Sequence, residues 1–187
     1  AKFCHTDPYV DSPQGLGFQD ATISAPHMHA YALDKAYDHL SKLGDKSAVN
    51  ILDVGSGSGY LTVCFRKLLD ALGAQGNVVG VDRIAGLVAQ SKKNAAGENV
   101  DLVLGDGFHG WRQSAPYMFI HVGATCNKTP EELYNQLAKG GMILFPKRLG
   151  NGVTVMASIV KPHDDADRRI ESRDLSVVFV PMKSGTE

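Results

Sequence analysis

The sequence predicts an α/β domain built on a doubly wound, mostly parallel sheet of seven strands. Three observations carry this expectation. Short, nearly continuous apolar runs alternate with segments of helical periodicity, the pattern of strands covered on both faces by helices. A glycine-rich stretch, Gly55-Ser56-Gly57-Ser58-Gly59, stands between the first such run and the helix after it, where open α/β sheets bind ligands. The 187 residues suit one sizeable core, and no linker, internal repeat or low-complexity block divides them. A single domain over 1–187 is therefore expected, with an opening segment 1–25, a core 26–146 and C-terminal strands 147–187.

Residues 1–25, rich in Gly, Pro and Asp, read as extended or looped. From Pro26, apolar Met28, Ala32, Leu33, Ala36, Leu40 and Leu43 recur at helical spacing, with Pro26 suited to the first turn and Gly44 to the end. Val49–Val54 is the first strand of the core. Leu61, Cys64, Phe65, Leu68, Leu69 and Leu72 mark a second helix, stopped at Gly73. Asn77–Asp82 is the next strand, 84–95 a helix, Val100–Leu104 a strand and Met118–Val122 another. A short helix over 130–138 stops at Gly140-Gly141, and the strand Met142–Phe145 ends at Pro146. Two further strands, Val153–Val160 and Leu175–Val180, are joined by a charged loop from His163 to Arg173 that reads as a solvated turn, with Asp164, Asp165, Asp167, Arg168 and Arg169 at its centre. Right-handed crossovers make the whole Rossmann-like.

Net charge is −1, so no overall field favours nucleic acid or an anionic membrane, and neither is expected as a partner. No apolar run reaches the roughly 18 to 20 residues that span a bilayer, and Ala1-Lys2-Phe3-Cys4-His5 lacks a signal-peptide pattern. Cys4, Cys64 and Cys126 are widely and irregularly spaced, without a zinc-binding pattern. Free thiols, no metal and a cytosolic protein are the expectation.

The glycine loop can let a ligand approach the backbone and turn helix-start amides toward it. Asp82, closing the second core strand, can accept both hydroxyls of a ribose. Together they point to an adenosine-containing cofactor. A dinucleotide fingerprint would need glycine where Tyr60 stands, so a nucleotide-dependent dehydrogenase fits poorly. Asp53, two residues before Gly55, matches S-adenosyl-L-methionine enzymes, because a carboxylate attracts a sulfonium and an amino group and would repel phosphates. Asp53 as a structural loop cap remains open. So does Leu104-Gly105-Asp106-Gly107, either an ordinary turn or a turn over the adenine with Asp106 accepting from its amine. His121, in an apolar strand, reads more readily as a satisfied core histidine than as a catalytic one. Ser24 with His27 or His29 suggests a hydrolase only if a Gly-x-Ser-x-Gly elbow exists, and none does.

Asp11-Ser12-Pro13-Gln14, the run from Ala21 to Ala30 (Ala-Thr-Ile-Ser-Ala-Pro-His-Met-His-Ala), Leu52–Gly59, Gly105-Asp106-Gly107, Ala115-Pro116-Tyr117, Ile120–Ala124 and Gly140-Gly141 resemble protein-L-isoaspartate (D-aspartate) O-methyltransferases over nearly the whole chain. The Asp-x-Gly-x-Gly segment is common to many methyltransferases, whereas the ten-residue run is specific to this family. The resemblance implies the S-adenosylmethionine-dependent methyltransferase fold, with the last two strands in switched order. It implies S-adenosyl-L-methionine as cofactor, S-adenosyl-L-homocysteine as product, and damaged proteins or peptides carrying isoaspartyl residues as partners of a monomeric enzyme. Ser24 is the implied active-site residue. Ala21, Thr22, Ile23, Ser24 and His29 are expected to line the cleft, and Asp53 and Gly55 to border the methionine part. Asp82 is assigned to the ribose, Asp106 and Gly107 to the adenine end, and Ser56, Gly57 and Arg83 are further expected cofactor contacts.

Several positions depart from the family pattern. The chain starts later than the family's first helical residues, one residue is inserted near Asp20, and Phe108 and Met118 replace an arginine and an aspartate. Pro146-Lys147-Arg148 replaces Pro-Val-Gly, and Lys183 takes the place of a late polar cofactor contact. These departures motivate a second reading, a family-like binding module with weak or no transfer; a third is transfer to a different carboxylate or a small molecule. The acceptor carboxylate is already ionised at neutral pH. Ser24 is therefore expected to orient it, not to act as a covalent nucleophile, and the backbone around Ile23–Ala25 to pair with an extended peptide.

Overall fold

The computed structural model describes residues 2–4, 6–164 and 169–186. A small hairpin of β1 (Gln14–Gly15) and β2 (Thr22–Ile23) opens the chain, followed by α1 (Pro26–Leu40). The core runs β3 (Ile51–Val54), α2 (Tyr60–Ala71), β4 (Val78–Asp82), α3 (Ala85–Asn94), β5 (Asp101–Leu104), β6 (Tyr117–Val122), α4 (Glu131–Asn135), β7 (Leu137–Arg148), β8 (Thr154–Val160) and β9 (Ile170–Ser176). The seven-stranded sheet is ordered β5-β4-β3-β6-β7-β8-β9. The first five strands pair in parallel, and β8 and β9 join antiparallel. The fold is the mostly parallel, doubly wound sheet that the alternating pattern predicts.

Strand alternation divides the side chains between two layers. On β3 and β6, Leu52, Val54, Ile120 and Val122 face one core, shared with Leu133 and Phe145. Ile51 and Phe119 face the other, where Ala32, Ala36 and Leu40 of α1 meet Leu61, Phe65 and Leu69 of α2. Asp53 and His121 share the parity of Ile51 and Phe119, so both point under α1 and α2 and not to solvent. After β3 the chain proceeds through β4 and β5 on one side, then returns to place β6 on the other. That reversal leaves a crevice beyond the carboxyl ends of β3 and β6.

Element ends differ from expectation in four places. The strand expected over Met142–Phe145 extends from Leu137 to Arg148, so Gly140-Gly141 lies inside it and α4 is shorter than 130–138. Pro146 does not end it. The Pro146 carbonyl accepts from the Cys126 amide, so its missing N–H faces the side where β6 pairing has stopped, and no bond to β8 is lost. The last strand is Ile170–Ser176, not Leu175–Val180. Leu175, Val177 and Phe179 do pack on the core, which explains their apolar alternation, but after the Val177 amide bonds to Thr154 the backbone leaves the sheet, and Val180 and Met182 bind Thr125. Finally, Ile170–Arg173 of the expected charged loop belongs to this edge strand, where charge guards against unwanted pairing. Glu171 pairs with Lys147 and Arg173, and Arg169 with Glu131; Asp165, Asp167 and Arg168 lie outside the described residues.

Candidate active site

The crevice at the strand reversal is a cleft of about 320 Å³. Its floor is Gly55 and Gly57 after β3, Asp82 and Arg83 at the end of β4, and Gly107 after β5. Gly57 and Gly59 have φ of +55° and +84°, a region that side chains disfavour, so the turn into α2 needs glycine there. The Gly57 amide donates to Asp82 Oδ2 at 2.9 Å and the Ile84 amide to Oδ1 at 3.1 Å. Asp82 is buried, and burial pushes its pKa up against the pull of these amides and that of Arg83. A carboxylate has about four acceptor positions, so Asp82 keeps capacity for a ribose diol while anchoring the loop. Ile84 and Leu87 supply an apolar wall.

Beside the cleft lies a small polar cavity lined by Ser24, His29, Asp53, Ser56 and His121. Asp53 is 1 % exposed and is held from both sides: Thr62 Oγ1 donates to Oδ2 at 2.6 Å, and His121 Nδ1 lies 2.8 Å from Oδ1. Opposite Asp53 on β4 stands Gly80, where a Cβ would come within 2.7 Å of Thr62 Oγ1; glycine keeps that approach open. Burial lowers the pKa of His29 to about 4, helped by the proximity of His121 and opposed by Asp53 and the Ser24 backbone. His29 is therefore neutral at pH 7. Its Nε2 and the buried Ser56 Oγ have no hydrogen-bond partner among the described residues. Two unpaired polar atoms lining the same cavity, next to a buried carboxylate, are what a bound amino-acid group would satisfy. The donor set fits S-adenosylmethionine: Asp82 for its ribose, Asp53, Ser56 and His29 around its cationic end.

A third opening, a groove of about 820 Å³, runs from Ser24, Ala25 and Met28 past Arg148 and Thr154 to the 175–180 segment. Ser24 borders both the groove and the small cavity, and Thr22 and Gly123 border all three spaces. Ala21 lines the cleft and Ile23 the small cavity. Of the residues expected at the site, Asp106 alone lines none of the three. Its Oδ1 accepts from the Phe108 amide at 2.9 Å and its Oδ2 from the Gly185 amide at 2.6 Å, so it caps a turn and ties down the C-terminal segment.

Three features go beyond the expectations, which held His121 as a core histidine and Lys183 at a late cofactor contact. His121 is both a satisfied core histidine and a lining residue of the small cavity. Thr62 completes the grip on Asp53; a threonine among the buried positions of α2 was its one signal. The C-terminal segment walls the cleft with Val180, Pro181, Met182 and Lys183. Thr125 holds that segment through the Val180 carbonyl and the Met182 amide, and Arg83 Nε donates to the Gly185 carbonyl. Lys183 Nζ lies 3.1 Å from Asp20 Oδ2, next to the expected insertion. Of the departures, Met118 packs into the α1–α2 core and Phe108 lies outside the cleft lining.

The comparisons with known proteins agree with this geometry. A protein-L-isoaspartate O-methyltransferase from Caenorhabditis elegans is 39% identical over 193 residues, covering 99% of this chain and 80% of that protein. Protein-L-isoaspartate O-methyltransferase 1 of Arabidopsis thaliana is 40% identical over 185 residues, covering 94% of this chain and 75% of the relative. A crystal structure from Plasmodium falciparum, described as a protein-L-isoaspartate O-methyltransferase in complex with S-adenosyl-L-homocysteine, matches with a TM-score of 0.82 at 30% identity, over 97% of this chain and 84% of that one. The family model for protein-L-isoaspartate(D-aspartate) O-methyltransferase matches residues 1–187, and the chain belongs to that family.

Proposed function

We propose that this chain methylates the free carboxylate of L-isoaspartyl and D-aspartyl residues in damaged proteins, and that Ser24 orients that carboxylate at the boundary between the small cavity and the groove. The observation that carries this reading is the position of Ser24, on the boundary between a polar cavity suited to a cationic cofactor end and a groove open to a peptide. S-adenosylmethionine, when bound, supplies an electrophilic methyl group on sulfonium. The chain's own residues supply position and dryness. The acceptor carboxylate is ionised at neutral pH and needs no general base. Ser24 donates a hydrogen bond that fixes it, while Asp53 holds the cationic group and His29, neutral, crowds water from the cavity. Thr62 and His121 keep Asp53 from turning away. Once the carboxylate is a methyl ester, the neighbouring backbone nitrogen can attack its carbonyl and expel methanol, closing a succinimide that water opens partly to normal aspartate.

Met118 and Phe108 remove no group from the cleft, so the binding-module reading rests on Lys183 alone. Cys4, Cys64 and Cys126 form no disulfide among the described residues, which suits a cytosolic setting, and no described helix is long and apolar enough to cross a membrane. The three spaces draw their lining from Pro13 to Lys183, which supports residues 1–187 as one domain. The test is transfer of labelled methyl from S-adenosylmethionine to an isoaspartyl peptide, with the matched aspartyl peptide as control. Transfer to the isoaspartyl peptide alone is expected. Cofactor binding without transfer to either would favour the binding module or another acceptor.

A further inference from the structure

The groove that Ser24 faces is lined by small and apolar residues and carries one full positive charge, Arg148. Arg148 is the last residue of β7, its amide bonded to the Cys126 carbonyl, and it leads into the turn that closes onto β8 through Leu149 and Val153. Its guanidinium is exposed and forms no ion pair with any described residue. The neighbouring cations are engaged: Lys147 holds both Glu171 oxygens, at 2.9 and 2.8 Å, and Arg173 holds Glu171 Oε1 at 2.8 Å. His27, also at the groove, is bound to Asp11 at 2.7 Å. A guanidinium without an ion pair in such a groove is a forked donor whose geometry suits a planar carboxylate.

We infer that Arg148 is a specificity residue that selects isoaspartyl substrates with an acidic side chain near the damaged residue. This rests on the methyltransferase reading above and names the substrate class that this chain prefers within it. Glutamate and aspartate are the side chains whose geometry matches the fork. Lysine or arginine at the same place is repelled. Because Arg148 is exposed, the preference is modest and weakens with salt.

The experiment measures kcat/KM for a neutral parent isoaspartyl peptide and for variants carrying Glu, Gln or Lys at each flanking position in turn. At one or two positions Glu should exceed Gln by about fivefold and Lys should fall below it, the size of an exposed ion pair. Raising the salt from low to near-molar should erase the difference. The ratio of Glu to Gln peptides should fall to about one in Arg148→Gln and invert in favour of Lys in Arg148→Glu. A flat profile across all positions in the unaltered enzyme, with the parent peptide turning over normally, overturns the inference and leaves the activity standing. So does a Glu preference that both substitutions leave unchanged. If the parent peptide itself accepts no methyl group, the methyltransferase reading fails and takes this inference with it.

Discussion

Asp53 on β3 and His121 on β6 are direct neighbours across a parallel strand pair, and His121 Nδ1 lies 2.8 Å from Asp53 Oδ1 with both side chains almost fully buried. The relationship follows from alternation. Both residues take the parity that points under α1 and α2, so Asp53 relies on His121 and Thr62 for its buried contacts. Replacing His121 by Ala should therefore destabilise the fold by about 1.5 to 3 kcal/mol, the cost of removing one hydrogen-bond partner from a buried carboxylate. His121→Gln, which keeps a donor, should recover a good part of that loss. Urea unfolding of the three proteins measures it; a loss under about 1 kcal/mol in the Ala variant would mean that Asp53 finds another donor.

Asp82 anchors the glycine loop through Gly57 and faces the cleft, so its removal should act on cofactor binding more than on peptide recognition. Asp82→Ala loses charge-assisted hydrogen bonds worth about 1.5 to 3 kcal/mol, or about tenfold to a hundredfold in Kd. Titration calorimetry with S-adenosylhomocysteine reads this directly. Asp106→Ala should leave that Kd far less affected, because the Asp106 carboxylate is occupied by the Phe108 and Gly185 amides outside the cleft lining. Equal losses in the two variants would restore Asp106 to a direct role at the adenine.

Ser24→Ala should lower transfer to the peptide by about tenfold to a hundredfold, the loss of a bond to an ionised acceptor. The fall should be larger than any change in cofactor affinity, since Ser24 stands between cavity and groove and outside the main cleft. Ser24→Thr, which keeps the hydroxyl, should retain more transfer than Ala. Matching losses in the two variants would say that space, and not the donor, matters at this position.

His29 sets a pH dependence of stability. Its folded pKa of about 4 lies below its ordinary value of 6.5, because burial disfavours the cation. Between these values the unfolded chain binds more protons than the folded one, so stability falls as pH drops from about 6.5 toward 4. The contribution is at most about 3 kcal/mol. Comparing unfolding free energies of the unaltered protein and His29→Gln across pH 4 to 7 isolates it: the slope should be shallower in the variant. Parallel slopes would show that folding leaves the affinity of His29 for its proton unchanged.

The fold was legible where periodicity is strong. Leu61, Phe65 and Leu69 of α2 and the apolar runs of β3 and β4 declared themselves because burial on both faces demands continuous apolar strands. Pro146 misled because a missing N–H matters only on the side that pairs, and that side depends on where β6 ends. The Leu175–Val180 run misled because apolar alternation cannot say where a segment leaves the sheet: Val177 still bonds to Thr154 of β8, and Val180 bonds to Thr125. At the site, Asp53, Asp82 and the glycine loop were readable from local spacing. The Thr62 grip on Asp53 was not, since it depends on α2 lying over Gly80 of a neighbouring strand. The C-terminal wall depends on a contact across the whole sequence, from Arg83 to Gly185.

Lys183 is the departure that reaches the cleft, and its ion pair with Asp20 joins the C-terminal wall to the opening segment. The two side chains are 52% and 81% exposed, so solvent screens the pair and its worth is at most about 1 kcal/mol. Lys183→Gln should therefore change the Kd for S-adenosylhomocysteine by no more than about fivefold, and by less at high salt. Asp20→Asn should have the same small effect, and the double variant should add nothing to either single one, because each already removes the same pair. Calorimetric titration of the four proteins in a double-mutant cycle measures this. A loss beyond about a hundredfold in Lys183→Gln alone would mean that the ammonium contacts the cofactor itself, and the cleft would then bind through a contact on the C-terminal wall.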